Sequence, residues 1–331
     1  MHFKHSLIAA HLAALIGLAS FSAHAADKLI VQLDWLPDGD KAAAYVGVKQ
    51  GFYAAENLEV TIQPGRGSSD AITKVATGAA DIATGGISAL MMAAAEGGIP
   101  VKAVMSVYSK QPDALFTVKG GPITSFKSVV GKTIALPPFS SSAAIWPVVL
   151  EANNIDPKSV TLLKVDPAAM APMLAAGKVD ATINWTTVAP NFEGVLKQAG
   201  KELAVLPWSQ FGLDGYGLSV FASDKLIAQR PDVLKRFLRA YKKATEFAVK
   251  NPDAAAADLK SMVPEADVKA AAAAFRASVP LIQNEISAKD GLGTFEPKLL
   301  AKTWTWVAKS KDYPMDKIDP EKLVDRSFLP K

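Results

Sequence analysis

One pattern occurs twice in this chain and constrains its fold more than any single residue. A helical stretch carrying Ile72 and Val75 ends at Gly78, and Gly78-Ala-Ala-Asp81 leads into the apolar run Ile82-Ala-Thr-Gly-Gly86. Further on, a helical stretch carrying Met170, Met173 and Leu174 ends at Gly177, and Gly177-Lys-Val-Asp180 leads into Ala181-Thr-Ile-Asn-Trp185. A helix closed by glycine, a turn ending in aspartate and a buried strand make one α/β unit. Apolar runs at 28–35, 59–63, 101–107, 114–118 and 133–136 read as further strands alternating with helices. That alternation is the signature of an α/β fold with mainly parallel sheets, and the repeat predicts two similar lobes.

The helix starts pair in the same way. Pro64-Gly-Arg66-Gly67-Ser68-Ser69 follows one predicted strand, and Pro137-Pro-Phe139-Ser140-Ser141-Ser142 follows another. A helix N-terminus offers unpaired N–H groups and a partial positive charge, so it accepts an anion without a cation beside it. The serine hydroxyls add donors there, and Arg66 adds a charge-assisted one; ordinary N-capping is the structural use of the same serines. Trp35 stands just past a strand's carboxyl end, where α/β sheets place ligands, and Asn184-Trp185 holds the matching place in the second unit. Two such aromatic planes are suited to sandwich a flat ring. Tyr108 and Tyr216 are further candidates, whereas Trp304 and Trp306 lie on a helical pattern that reads as core.

From Pro231 the chain turns helical, with Val233, Leu234, Phe237, Leu238 and Tyr241 on one stripe, and more helices are expected over 254–262, 268–277 and 298–310.

The 331 residues include no cysteine and four histidines, at positions 2, 5, 11 and 24. That opening stretch reads as a secretory signal peptide over 1–25, with Lys4 before the apolar run Leu7–Phe21 and cleavage after Ala25 in Ala23-His-Ala25. Residues 26–331 then hold neither His nor Cys. Ser-His-Asp and Cys-His catalysis are excluded, as are haem and iron–sulfur ligation by those residues. Zinc and copper sites lose their usual ligands, so no metal and no cofactor is expected. The net charge of +4 is spread without a basic block, which argues against nucleic acid. Charges or turn residues interrupt every later apolar run, so no further membrane span is expected.

Leu33-Asp-Trp-Leu-Pro37, Tyr45-Val46, Gly51-Phe-Tyr53, Asn57-Leu-Glu-Val60, Gly97-Gly-Ile-Pro-Val101, the two Gly-x-x-Asp units, 126–135 and 231–248 occur here in an order that resembles one superfamily. It is that of the ABC-importer solute-binding proteins for nitrate, sulfonate and taurine, together with relatives that bind thiamine pyrimidine precursors.

The resemblance implies a two-lobe periplasmic binding protein of type II, with a two-strand hinge. Residues 27–114 and 221–331 would form the first lobe and 115–220 an inserted second one. It implies a small-molecule ligand, an ABC permease with its ATPase as partner, a monomer, and no enzyme activity. The expected solute is a small organic anion such as a sulfonate or an aromatic carboxylate. By position the cleft residues are Trp35, Asp38, Ser68, Ser69, Ser88, Tyr108, Ser140, Ser141, Asn184 and Trp185, to which Arg66, Phe139 and Tyr216 are added from the residues themselves.

Two features pull the ligand class apart. Pyrimidine-precursor binders carry Asn and His where this chain has Asp38 and Lys41, while Gly67-Ser68-Ser69 resembles the oxyanion turn of the sulfonate and nitrate branch. A pyrimidine-precursor binder, and a pyrimidine-processing enzyme on the same fold, are the alternative readings. The fungal synthases of that fold use a histidine and a cysteine-rich loop, which residues 26–331 lack.

Overall fold

The computed structural model describes residues 25–330, so the leader expected over 1–25 lies, apart from Ala25, outside the described residues. Ten strands form two five-stranded sheets: β1 (Asp27–Gln32), β2 (Leu58–Gln63), β3 (Ile82–Gly86), β4 (Val101–Ser106), β5 (Asp113–Val118), β6 (Thr133–Leu136), β7 (Thr161–Lys164), β8 (Ala181–Trp185), β9 (Leu203–Pro207) and β10 (Leu218–Ser223). The first sheet runs β2-β1-β3-β10-β4 and the second β7-β6-β8-β5-β9. In each, the three leading strands are parallel and the fourth is antiparallel to both neighbours. The duplicated sequence therefore folds as two copies of one topology. The odd strand of each sheet, β5 or β10, is the one that arrives from the other lobe.

The repeated Gly-x-x-Asp units do the same work twice. Gly78 closes its helix at φ 79° and Gly177 follows its own at φ 67°. Asp81 then accepts the Ile30 N–H at 2.8 Å, and Asp180 accepts the Thr133 N–H at 2.8 Å. Each aspartate thus ties the turn to the neighbouring parallel strand and sets its register.

The chain crosses between the sheets after β4 and again after β9. The sequence reading placed those changes after 114 and after 220, but the strands run past both marks. Asp113 and Ala114 already pair with Trp185 and Asn184, and Leu218 already pairs with Gly86.

The C-terminal helices bind the lobes together. Helix Pro231–Lys250 opens on proline and buries Val233, Leu234, Phe237, Leu238 and Tyr241 against helices Ala42–Lys49 and Phe52–Ala55. Phe237 stacks between Tyr53 and Tyr241, with centroids 5.4 and 5.7 Å away. Helix Val268–Ile282 touches helix Ala189–Gln198 of the second lobe, and helix Pro297–Ser310 touches helix Trp146–Ala152. Trp304 is core, as its spacing predicts, while Trp306 is only half-buried and donates to the Asp214 carbonyl at 2.8 Å. No helix among the described residues is long and apolar enough to cross a membrane.

Candidate functional site

Where the carboxyl ends of the parallel strands face one another, a narrow cleft with about 30 Å³ of free volume lies between the lobes. Asp34, Trp35, Asp40, Lys41, Gly67 and Ser68 line it from the first lobe, and Ser140, Ser141, Ser142, Ile183, Asn184, Trp185 and Val188 from the second. The stretches that follow β1, β2 and β6, and the end of β8, supply the walls, as the position of ligands in α/β sheets requires.

The lobes meet closely on either side. Ser69 donates to the Phe139 carbonyl from its N–H at 3.1 Å and from its hydroxyl at 3.0 Å, and the Ser88 hydroxyl donates to the Ser141 carbonyl at 3.5 Å. Gly67, at φ 146°, and Gly86, at φ −73°, are where the surfaces come nearest. A Cβ on Gly67 would lie 2.4 Å from the Phe139 carbonyl oxygen, and one on Gly86 would lie 2.3 Å from Ser141 Oγ.

The turn Gly39–Lys41 is the polar centre of the cleft. Lys41 Nζ lies 3.0 Å from Asp34 Oδ1 and 3.2 Å from Asp40 Oδ2, as ion pairs off the hydrogen-bond direction. Nζ also sits 4.7 Å from the centroid of the Trp185 ring across the cleft. Burial alone would push the Lys41 amine down, but the two carboxylates hold its ammonium above the ordinary lysine range. Asp40 is raised by its burial, against the pull of Lys41, and accepts the Thr187 hydroxyl at 2.9 Å. Asp38 accepts the Gly39 N–H and, at 2.5 Å, the Asn191 amide of the second lobe. Burial, with Asp40 beside it, pushes the Asp38 carboxyl up to about 7. The unbalanced charge is negative: three carboxylates surround one ammonium.

The second lobe holds its aromatic wall from behind. Asp113 accepts the Gln111 amide at 2.6 Å and the Ser142 hydroxyl, and it lies opposite Trp185 in the strand register. Burial pushes the Asp113 carboxyl up to about 7 despite the bonds from Ser142 and the Trp185 side chain. Of the buried oxygens without a hydrogen-bond partner among the described residues, two belong to residues lining the cleft, Asn184 Oδ1 on one wall and Asp40 Oδ1 on the other. Unpaired buried acceptors are costly, so each calls for a donor from water or from a bound molecule.

Of the residues singled out from the sequence, Trp35, Ser68, Ser140, Ser141, Asn184 and Trp185 line the cleft together. Asp38, Ser69, Ser88 and Phe139 instead join one lobe to the other around it. Tyr108 is fully buried behind Trp185, with ring centroids 6.0 Å apart. Arg66 is on the exposed rim, its Nε 4.0 Å from Asp166, a pairing worth little in water.

Tyr216 is elsewhere: its hydroxyl accepts the Glu296 N–H at 2.6 Å and its ring packs on Phe295. The second serine run does not open an α-helix as the first does. Ser140 caps Ser142 N–H at the head of a short 3-10 turn, Ser141–Ala144, and the helix proper begins at Trp146-Pro147. Asp34, Asp40, Lys41 and Ser142 were not singled out as cleft residues. For Asp40 and Lys41 the signal was three charges within 38–41 followed directly by an apolar helix, a poor setting for solvated side chains.

Two like lobes closing polar and aromatic walls around a single cleft define the class: a two-lobe binding protein of the periplasmic type. The chain belongs to the NMT1/THI5-like family, whose profile matches residues 39–255. A riboflavin-binding protein of Chloroflexus aurantiacus is 30% identical over 83% of this chain and 79% of its own length. A formylaminopyrimidine-binding protein of Halalkalibacterium halodurans is 26% identical, over 74% and 75%. A 4-amino-5-hydroxymethyl-2-methylpyrimidine phosphate synthase of Candida albicans is 24% identical, over 72% of each chain. The solved alkanesulfonate-binding protein of Xanthomonas axonopodis, bound to MOPS, superposes with a TM-score of 0.71 at 14% identity, over 92% of this chain and 100% of that one; this likeness is one of fold.

Proposed function

We propose that this protein captures a small, flat organic solute outside the cytoplasmic membrane and hands it to an ABC permease, without chemical turnover. The observation that carries the reading is the cleft itself, with tryptophans from both lobes and buried acceptors left unpaired on both walls. Trp35 and Trp185 offer ring faces, and Asn184 Oδ1 and Asp40 Oδ1 ask for donors. Ser141 and Ser68 supply hydroxyl donors for an oxygen of the solute. A carbonyl fits that place, as does the carboxylate or sulfonate expected from the sequence. The relatives that bind riboflavin and a formylaminopyrimidine support a nitrogen heterocycle carrying both kinds of group.

Capture without conversion is supported by the absence of His and Cys from residues 26–331, and by the engagement of the one lysine lining the cleft, Lys41, with Asp34 and Asp40. We further propose that the chain acts as a monomer and that its two crossings, after β4 and after β9, are the hinge. A thermal-shift panel of riboflavin, an aminopyrimidine, an aromatic carboxylate and an alkanesulfonate tests the solute class, because a ligand of the folded state raises the melting temperature by mass action. A rise with a heterocycle and recovery of that compound unchanged supports the reading. Recovery of a converted product overturns it.

A further inference from the structure

We propose that closing of the two lobes takes up a proton at the buried carboxylate turn 38–40, so that acid pH favours the closed state and rising pH favours release. The proposal rests on the capture reading, since it concerns the same cleft, but it adds a control that solute contacts alone do not supply.

The geometry comes first. Asp38, Asp40 and Lys41 are 7%, 4% and 4% exposed, buried between helix Val268–Ile282 of the first lobe and side chains of the second. Asn191 donates to Asp38 at 2.5 Å, Thr187 donates to Asp40 at 2.9 Å and Trp185 covers Lys41 at 4.7 Å. All three partners come from one short stretch of the second lobe, residues 185–191. Behind the turn, helix Val268–Ile282 presses its Ala271 backbone against Gly39, where a Cβ would lie 1.9 Å from the Ala271 carbonyl oxygen. The turn therefore cannot retreat on closure, and its carboxylates must lose water.

The charged neighbours do not balance them. Asp34, Asp38 and Asp40 face the single ammonium of Lys41. Arg276 of the helix behind is engaged with Asp253 at the surface, and the phenols of Tyr108 and Tyr241, raised by burial, stay neutral. When the lobes part, Asp38 loses its amide partner and the share of its cover that the second lobe supplies, so its carboxyl moves back toward the ordinary range.

The sign follows from linkage. A carboxyl that is harder to ionise in the closed state binds its proton there first, so closure draws a proton from solution. Closure is strongest below the open-state value of about 4 and weakens as pH rises toward the closed-state value of about 7 for Asp38. It is flat above that. The closed-to-open ratio changes by about tenfold per pH unit inside that window.

The chain's lack of cysteine allows a direct test without any solute. Thr73→Cys on the first lobe and Lys164→Cys on the second carry spin labels on exposed positions either side of the cleft. Double electron–electron resonance then reads the two separations between pH 5 and pH 8. The expected result is a short-distance population that grows as pH falls, and whose pH dependence is largely lost in Asp38→Asn. Asn191→Ala, on the opposite lobe, should weaken closure at every pH while keeping the dependence.

A distance distribution indifferent to pH overturns the proposal, as does an undiminished slope in Asp38→Asn. Gly86→Ala separates the two levels of failure, since its Cβ meets Ser141 only when the lobes are shut. If that variant opens while the wild type ignores pH, only the proton coupling fails. If no variant changes the distance, the closing motion itself is wrong.

Discussion

Lys41 is the one cation among the residues lining the cleft, and it has little left to offer an anion. Two carboxylates already hold it, and Trp185 covers it. The free capacity lies instead in Asn184 Oδ1 and Asp40 Oδ1, which accept hydrogen bonds, and in the Trp35 ring on the cleft wall. Trp35→Ala is expected to weaken solute binding at least tenfold, about 1.4 kcal/mol or more, with the unliganded melting temperature little changed; calorimetry beside a melting curve checks both. Asn184→Ala is expected to cost about 1–3 kcal/mol of binding by leaving a solute donor unpaired, and more for a solute with a ring N–H than for its N-methyl analogue, which competition titration reads.

The aromatic and serine members of this wall were legible because they stand at strand ends, a position that periodicity reveals. The Asp34, Asp40 and Lys41 group was not, because charges after a strand ordinarily face water. Their burial comes from partners distant in sequence, Thr84 on Asp34 and Thr187 of the other lobe on Asp40. Tyr216, a candidate set between Gly215 and Gly217, has its hydroxyl spent on the Glu296 N–H away from the cleft.

At the scale of elements, two glycines and one helix separate closure from folding. Gly86 has an ordinary φ of −73°, so alanine there brings no backbone strain, and the atom its Cβ would meet first is Ser141 Oγ in the other lobe. Gly86→Ala is therefore expected to leave the unliganded fold intact and to lower affinity by hindering closure, with small-angle scattering showing no compaction on solute addition. Phe237 acts on the fold instead. Stacked between Tyr53 and Tyr241 and 1% exposed, it is expected to cost about 3–5 kcal/mol when changed to alanine, measured by urea unfolding.

The amphipathic stripe of helix Pro231–Lys250 was plain in the sequence, as were the paired Gly-x-x-Asp turns. The second serine run was harder. Three serines look like a helix start, but Trp146 is drawn into the core against Trp208, 5.5 Å away, and Pro147 then starts the helix later.

At the scale of the whole molecule, the two lobes share one topology and exchange the chain through their antiparallel strands. A flytrap of this kind stores its specificity in the closed state, because the walls that recognise a solute are assembled from both halves at once. The same arithmetic explains why no single run of sequence spells out the cleft: each lobe contributes half of a site that exists only when they meet. It also sets a limit on affinity, since a solute must offset the cost of desolvating the turn 38–40 before any binding is seen.

The most direct measurement of that account is a calorimetric titration with the panel solute that most raises the melting temperature, run on the wild type and on Trp35→Ala, with the solute recovered and weighed by mass spectrometry. The account predicts one solute bound per chain, at least a tenfold weaker fit in the variant, and an unchanged mass on recovery. Equal affinity in the two proteins, or a recovered mass that differs from the one added, would contradict it.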